Sequence, residues 1–249
     1  MYFSVAGSQV RIAGSMHMLP DYAPHLPHWL WDAFAWSEDL LIESDPPEIL
    51  HHLPLTDGTL LAQYVPATHW TALHDIVTRS GVSSEQLAGW KPWAALLVLE
   101  AALQPYAPGV EAQFLGCSAT QNKPTFMLET GASVAALLDR VPVEVIVNYM
   151  INLLDAPELA RVRARQLHQA WLDCSLSSMY EVARDTPIFQ TEALKEAILT
   201  QRNRAWMPSL RLALQAPRNT LIVVGALHLC GEDSIGELLK REGYSMTPV

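Results

Sequence analysis

Apolar residues follow two rhythms along this chain. Near both ends they form short runs bounded by turn residues, the mark of strands. YFSVAG and VRIAG, separated by Ser8-Gln9, predict a hairpin. DLLIES (Asp39–Ser44) predicts another strand, as does PTFMLET (Pro124–Thr130), which is entered through the turn-forming Gln121-Asn122-Lys123. NTLIVVGALHL is the strongest of these signals, because Leu221 to Val224 is rich in β-branched residues. The tail GYSMTPV predicts a last edge strand.

Between these runs the period is helical. HLPHWLWDAFAWSE sets Leu26, Trp29, Leu30, Ala33 and Phe34 on one face, with polar residues opposite. PWAALLVLEAAL is apolar nearly all round and predicts an inner helix. Val143 to about Leu172 reads as one long helix or as two, broken near Asp155-Ala156-Pro157, where Pro157 suits a first helical turn. Thr191 to Leu214 reads as helix with a bend at Pro208, and Gly243 is placed to cap SIGELLKREG. The pattern predicts an α/β fold, with α+β as the alternative. A mixed central sheet is built from the N- and C-terminal segments and carries a large helical insert. The expected organisation is a single domain over 1–249, its helical middle spanning about 47–218 and interrupted by a strand near 124–129.

Two of the predicted strands end alike. VRIA runs into Gly14-Ser15-Met16-His17, and LIVV runs into Gly225-Ala226-Leu227-His228. A glycine at a strand end lets the backbone turn or lets a ligand come close. Glu43 and Glu129 close two other strands. If the four strands share a sheet and point the same way, their carboxyl ends bring His17, Glu43, Glu129 and His228 together, where α/β sheets usually carry their sites. Two neutral imidazoles with one or two carboxylates suit a divalent metal such as Mn, Co or Zn. Such an ion acidifies a bound water. The competing account is structural: turn glycines, ordinary histidines and solvated or helix-capping carboxylates. It is strongest for Glu129, because TGAS opens a helix.

The chain has 26 Asp and Glu against 16 Lys and Arg, a formal net charge of −10. This argues against nucleic acid, whose phosphates call for clustered cations. Three separated cysteines, Cys117, Cys174 and Cys230, give no disulfide framework and no C-x-x-C metal knuckle. The longest apolar run, Trp93 to Leu99, is too short to span a bilayer, and MYFSVAG lacks the basic leader of a signal peptide. A cytoplasmic protein without a membrane segment is the expectation. The oligomeric state is not encoded in any of these features.

The segments GSMHMLP, IES, GVEAQFLGCSA, KPTFMLET, QRNRAW and GALHLCGEDSIGELLKREGY, in that order from Gly14 to Tyr244, resemble the TraB/PrgY/GumN family. That family is related to the Tiki proteins, described as metal-dependent proteases, to erythromycin esterases and to haem-associated ChaN-like proteins. The resemblance implies a metal-dependent hydrolase, a peptidase in the particular case, with a peptide or small-molecule substrate. Its cleft would be built from His17 and His228 as ligands, Glu43 as ligand or general base, and Arg202 with Asn203 as transition-state stabilisers. Glu129, Glu111, Gly14 and Gly225 are further site candidates. Two alternatives stand beside this. One is a metal-independent, esterase-like hydrolase with histidine as general base. The other is a protein that sequesters a peptide or small ligand without turnover. Haem held by the same histidines is a third cofactor reading. Glu111 stands where the family pattern has aspartate, and Val134 where it has glutamine.

Overall fold

Alternate residues of the run Leu221–Val224 are buried on opposite faces of one sheet, which is why the run is apolar without interruption. The computed structural model describes residues 1–249, the side chain of Pro46 apart. The chain opens with β1 (Tyr2–Val5), β2 (Val10–Ser15) and β3 (Met18–Pro20), followed by α1 (His28–Trp36) and β4 (Asp39–Ile42). Next come α2 (Pro46–Ile49), α3 (Ala67–Arg79), α4 (Ser84–Ala88), α5 (Pro92–Ala102), β5 (Tyr106–Pro108), α6 (Val110–Gln121) and β6 (Thr125–Met127). A helical stretch contains α7 (Gly131–Leu138), α8 (Val143–Asp155), α9 (Pro157–Leu172), α10 (Leu176–Ala183), α11 (Pro187–Gln190), α12 (Glu192–Lys195) and α13 (Gln201–Gln215). The chain closes with β7 (Thr220–Gly225), α14 (Ile235–Arg241) and β8 (Met246–Pro248).

Six strands form the mixed sheet, in the order β6-β4-β7-β2-β1-β8. The first four are parallel, with Ile12 opposite Ile222 and Leu41 opposite Ile222 from the other side. β1 pairs antiparallel with β2 through the expected hairpin, and β8 closes the edge antiparallel to β1. Ala13, Leu40, Ile42, Leu221 and Val223 face a cluster with Leu30 and Phe34 of α1, Phe114 of α6 and Trp171 of α9. Val10, Ile12, Leu41, Ile222 and Val224 face Trp206 and Leu210 of α13 and Ile235 and Leu239 of α14. Full burial of one such aliphatic side chain contributes about 1.5–3 kcal/mol.

A second hydrophobic core lies among the helices of the middle, built from Leu73 and Val77, Leu96 and Leu99, and Ile146 and Met150. Val134 packs against this core. The two-helix alternative holds at Pro157, which sits in the first turn of α9. Pro208 lies within α13, and the same helical run also carries a π turn over Glu196–Thr200. The 124–129 strand is shorter than its apolar pattern predicts, and as an edge strand it leaves Phe126 and Met127 exposed. β3 and β5 pair antiparallel as a small second sheet that the hydrophobic pattern does not announce. Among the described residues, no helix is long and apolar enough to cross a membrane.

Candidate functional site

Because β2, β4, β6 and β7 are parallel, their carboxyl ends share one edge, and the chain leaves that edge at His17, Glu43, Glu129 and His228. Glu43 is the centre of the arrangement. One of its oxygens accepts from the Gly225 N–H. The other accepts from the Arg202 guanidinium at 2.5 Å. His17 Nε2 lies 3.8 Å from Glu43 Oε2, and His228 Nε2 lies 3.6 Å from Glu43 Oε1. A Cβ on Gly225 would stand 3.2 Å from Glu43 Oε1 and 3.3 Å from His17 Nε2, so the absence of a side chain there is what lets the groups converge.

Arg202 reaches the site from α13, just after the π turn, a distortion that recurs at functional positions in helices. Its Nε donates to Glu129 Oε1 at 2.8 Å, and its Nη2 serves both Glu129 and Glu43. The helix-cap account of Glu129 does not describe this residue. Thr130 caps α7 through a reciprocal pair with Ser133, and the Glu129 carboxylate turns to Arg202. The neighbouring Asn203 donates to the Asp233 carbonyl at 2.9 Å, which orients its amide oxygen toward His228 Nδ1 at 2.6 Å. His228 therefore carries its proton on Nδ1 and presents a lone pair on Nε2, to which Arg202 donates at 3.3 Å. Trp206 packs beneath the imidazole, ring centroids 4.5 Å apart. Arg204 stays outside, exposed and paired with Asp233.

Glu111, a further site candidate in the sequence, is drawn in from another direction. The Gly109 N–H donates to the His17 carbonyl and the Val110 N–H to the Met16 carbonyl, so the start of α6 lies against the loop that carries His17. A Cβ on Gly109 would fall 2.0 Å from the Met16 carbonyl oxygen, a contact that only glycine avoids. Glu111 Oε1 accepts from Ser15 and lies 3.2 Å from His17 Nδ1. Its Oε2 is buried without a protein partner. Gly14 backs the site by packing on Ala226. Gly109 and Ser15 are the residues that sequence reasoning did not single out for the site. Gly109 opens the GVEAQF segment, and Ser15 lies inside the first G-x-x-H element, which are the signals that could have found them.

Burial alone would raise the Glu43 carboxyl, but Arg202, the two histidines and the Gly225 N–H bring it below the usual carboxylate range. Burial pushes His228 down to about 3, so its imidazole is neutral. Glu111, with help from Glu43, pulls His17 up to about 9; the ring is 58% exposed, and water screens part of that pull. Burial raises Glu129 against the opposing pull of Arg202. The ligand atoms of His17, Glu43 and Glu111 all lie within 4.8 Å of one another. His228 stands beside this trio, its lone pair engaged by Arg202. A cleft of about 550 Å³ borders the site, and its lining includes Met16, Met18 and Leu227, the neighbours of both histidines.

The fold is a mixed α/β sheet, and the chain belongs to the TraB/PrgY/gumN family, whose model matches residues 3–248. It is 26% identical over 241 residues to the uncharacterized protein YbaP of Escherichia coli (strain K12), covering 92% of this chain and 87% of that protein. The uncharacterized YbaP of Shigella flexneri matches to the same extent. No solved structure matches the chain.

Proposed function

We propose that this edge of the sheet is the reacting centre of a divalent-metal-dependent hydrolase acting on a peptide or small-molecule amide or ester. The observation that carries the reading is the His17, Glu43 and Glu111 trio, with the orphaned Glu111 Oε2 beside it. One imidazole and two carboxylates fit Mn, Co or Zn, and a buried carboxylate oxygen without a partner is the donor that a cation would satisfy. A bound divalent ion supplies an acidified water and polarises a carbonyl.

The chain's own residues have distinct tasks in this reading. Glu43 acts as a ligand rather than a base, since its depressed pKa keeps it anionic and makes it a weak proton acceptor. Arg202 is a positioning residue that holds Glu43 and Glu129 in place. Asn203 fixes the His228 tautomer, leaving Nε2 as the acceptor for Arg202. A metal-free mechanism is less well served. Burial makes His228 a weak base, and the carboxylates around His17 favour its protonated form until a cation takes the proton's place.

Calorimetric titration of chelator-treated protein with Mn²⁺, Co²⁺ and Zn²⁺ tests the metal centre. One ion should bind with one-to-one stoichiometry, and His17→Ala and Glu111→Gln should each weaken it by at least about tenfold, the scale on which metal-site contacts act. Hydrolysis of a mixed amide and ester substrate panel should stop on chelation and return with that ion. Turnover indifferent to chelator, with no ion bound, would replace this reading with the metal-free one. Ligand binding without any turnover would leave sequestration.

A further inference from the structure

The cleft beside the histidines has walls that are mainly apolar, with Leu103, Leu153, Leu159 and Ile188 among them. Glu100 also lines it, from the inner helix α5. The Tyr149 hydroxyl, from α8, donates to Glu100 Oε1. Burial raises the Glu100 carboxyl, and beyond that burial the Tyr149 hydroxyl is the one group that shapes its ionisation. Among the described residues no lysine, arginine or histidine forms an ion pair with it. Arg161, on the same cleft, is taken up by the Leu103 carbonyl and Glu158, and Arg163 lines the cleft without pairing with Glu100. Glu100 is half-buried against these apolar walls, and a ligand that brings a cation to it supplies the counter-charge the protein does not.

We propose that this cleft is the specificity subsite and takes an apolar group bearing a free ammonium, whose charge pairs with Glu100. The same cleft is lined by Met16, Met18 and Leu227, so one of its walls is made by the immediate chain neighbours of His17 and His228. The inference rests on reading that edge of the sheet as the reacting centre. It names the substrate class as amine-bearing apolar amides or esters.

The test uses three probes of matched shape, 4-phenylbutylamine, 4-phenylbutanol and 4-phenylbutyric acid, titrated calorimetrically into the whole chain at neutral pH. The amine should bind about tenfold or more tighter than the alcohol, the scale of a hydrogen bond to a charged group, and the acid should bind weakest. Glu100→Gln keeps an acceptor for Tyr149 and should bring the amine to the affinity of the alcohol. Leu159→Ser, on an exposed wall of the cleft, should weaken amine and alcohol alike. Three probes binding within twofold of one another, or an amine preference that survives Glu100→Gln, would overturn the proposal. Should Glu100→Gln fail to fold, the ordering of the three probes on the parent protein decides alone. Amine preference in a protein that binds no cation at His17 removes the metal-dependent reading and keeps the subsite; cation binding without amine preference does the reverse.

Discussion

Arg202 is the residue whose removal should cost the structure most for the fewest atoms. It stands between Glu43 and Glu129, whose side chains are 5% and 6% exposed, and donates to them at 2.5 and 2.8 Å. At the effective dielectric of about 20 that suits such sites, each opposite-charge pair near 4 Å is worth about 4 kcal/mol before desolvation is counted. Arg202→Met deletes two such attractions and leaves two buried carboxylates facing one another. Breaking a buried pair by removing one partner costs about 3–5 kcal/mol, and this double arrangement should fall at the upper end. Guanidinium denaturation followed by far-ultraviolet circular dichroism at pH 7.5 measures the loss, with an unchanged m-value required for the comparison.

Two companions make the reasoning specific. Arg202→Lys keeps the charge but loses the planar fork, so its loss should be intermediate. Arg202→Met combined with Glu43→Gln and Glu129→Gln removes the uncompensated charge and should recover most of the stability, because neutral replacements of a buried ionic cluster are often tolerated. A single Arg202→Met variant within about 1 kcal/mol of the parent would refute the argument, as would a triple variant less stable than the single one.

Gly225→Ala should cost about 1–3 kcal/mol by crowding Glu43 and His17, while Gly109→Ala, whose Cβ meets backbone, should cost more; denaturation midpoints rank the two. Glu100 has a folded pKa raised above its ordinary 4.5, so the folded state binds more protons between the two values and its penalty grows as pH rises through that window. Glu100→Gln should therefore gain stability relative to the parent as pH climbs from 4.5 toward neutrality, and a constant difference across that series of melts would contradict this. The Cys230 thiol, pushed up by burial to about 12, should react with iodoacetamide at pH 8 far more slowly than the exposed Cys174, as read by peptide mass spectrometry.

The strand ends were legible because a parallel sheet converts sequence pattern into place. Each apolar run that stops at His17, Glu43, Glu129 or His228 carries its polar residue to the same edge. The association of Glu111 with His17 was less so. It depends on two three-residue strands, Met18–Pro20 and Tyr106–Pro108, too short to show alternation, and on Gly109 crossing the backbone of Met16. The π turn at Glu196–Thr200 has no signature in TEALKEAILTQ, whose spacing reads as plain helix. Asn203 looks like any polar helical residue until Asp233 fixes which way its amide faces. Val134 illustrates the converse: this departure from the family pattern packs against the helical core.

The pairing of β2 with β7 also sets a timetable for synthesis. β2 leaves the ribosome well before the partner for its inner edge, which begins at Thr220. At about 5–20 residues per second, that edge waits roughly 10–40 s before its neighbour exists. Throughout that interval the nascent chain displays an apolar ribbon with open hydrogen-bonding groups, the kind of surface that recruits holdase chaperones or seeds aggregation.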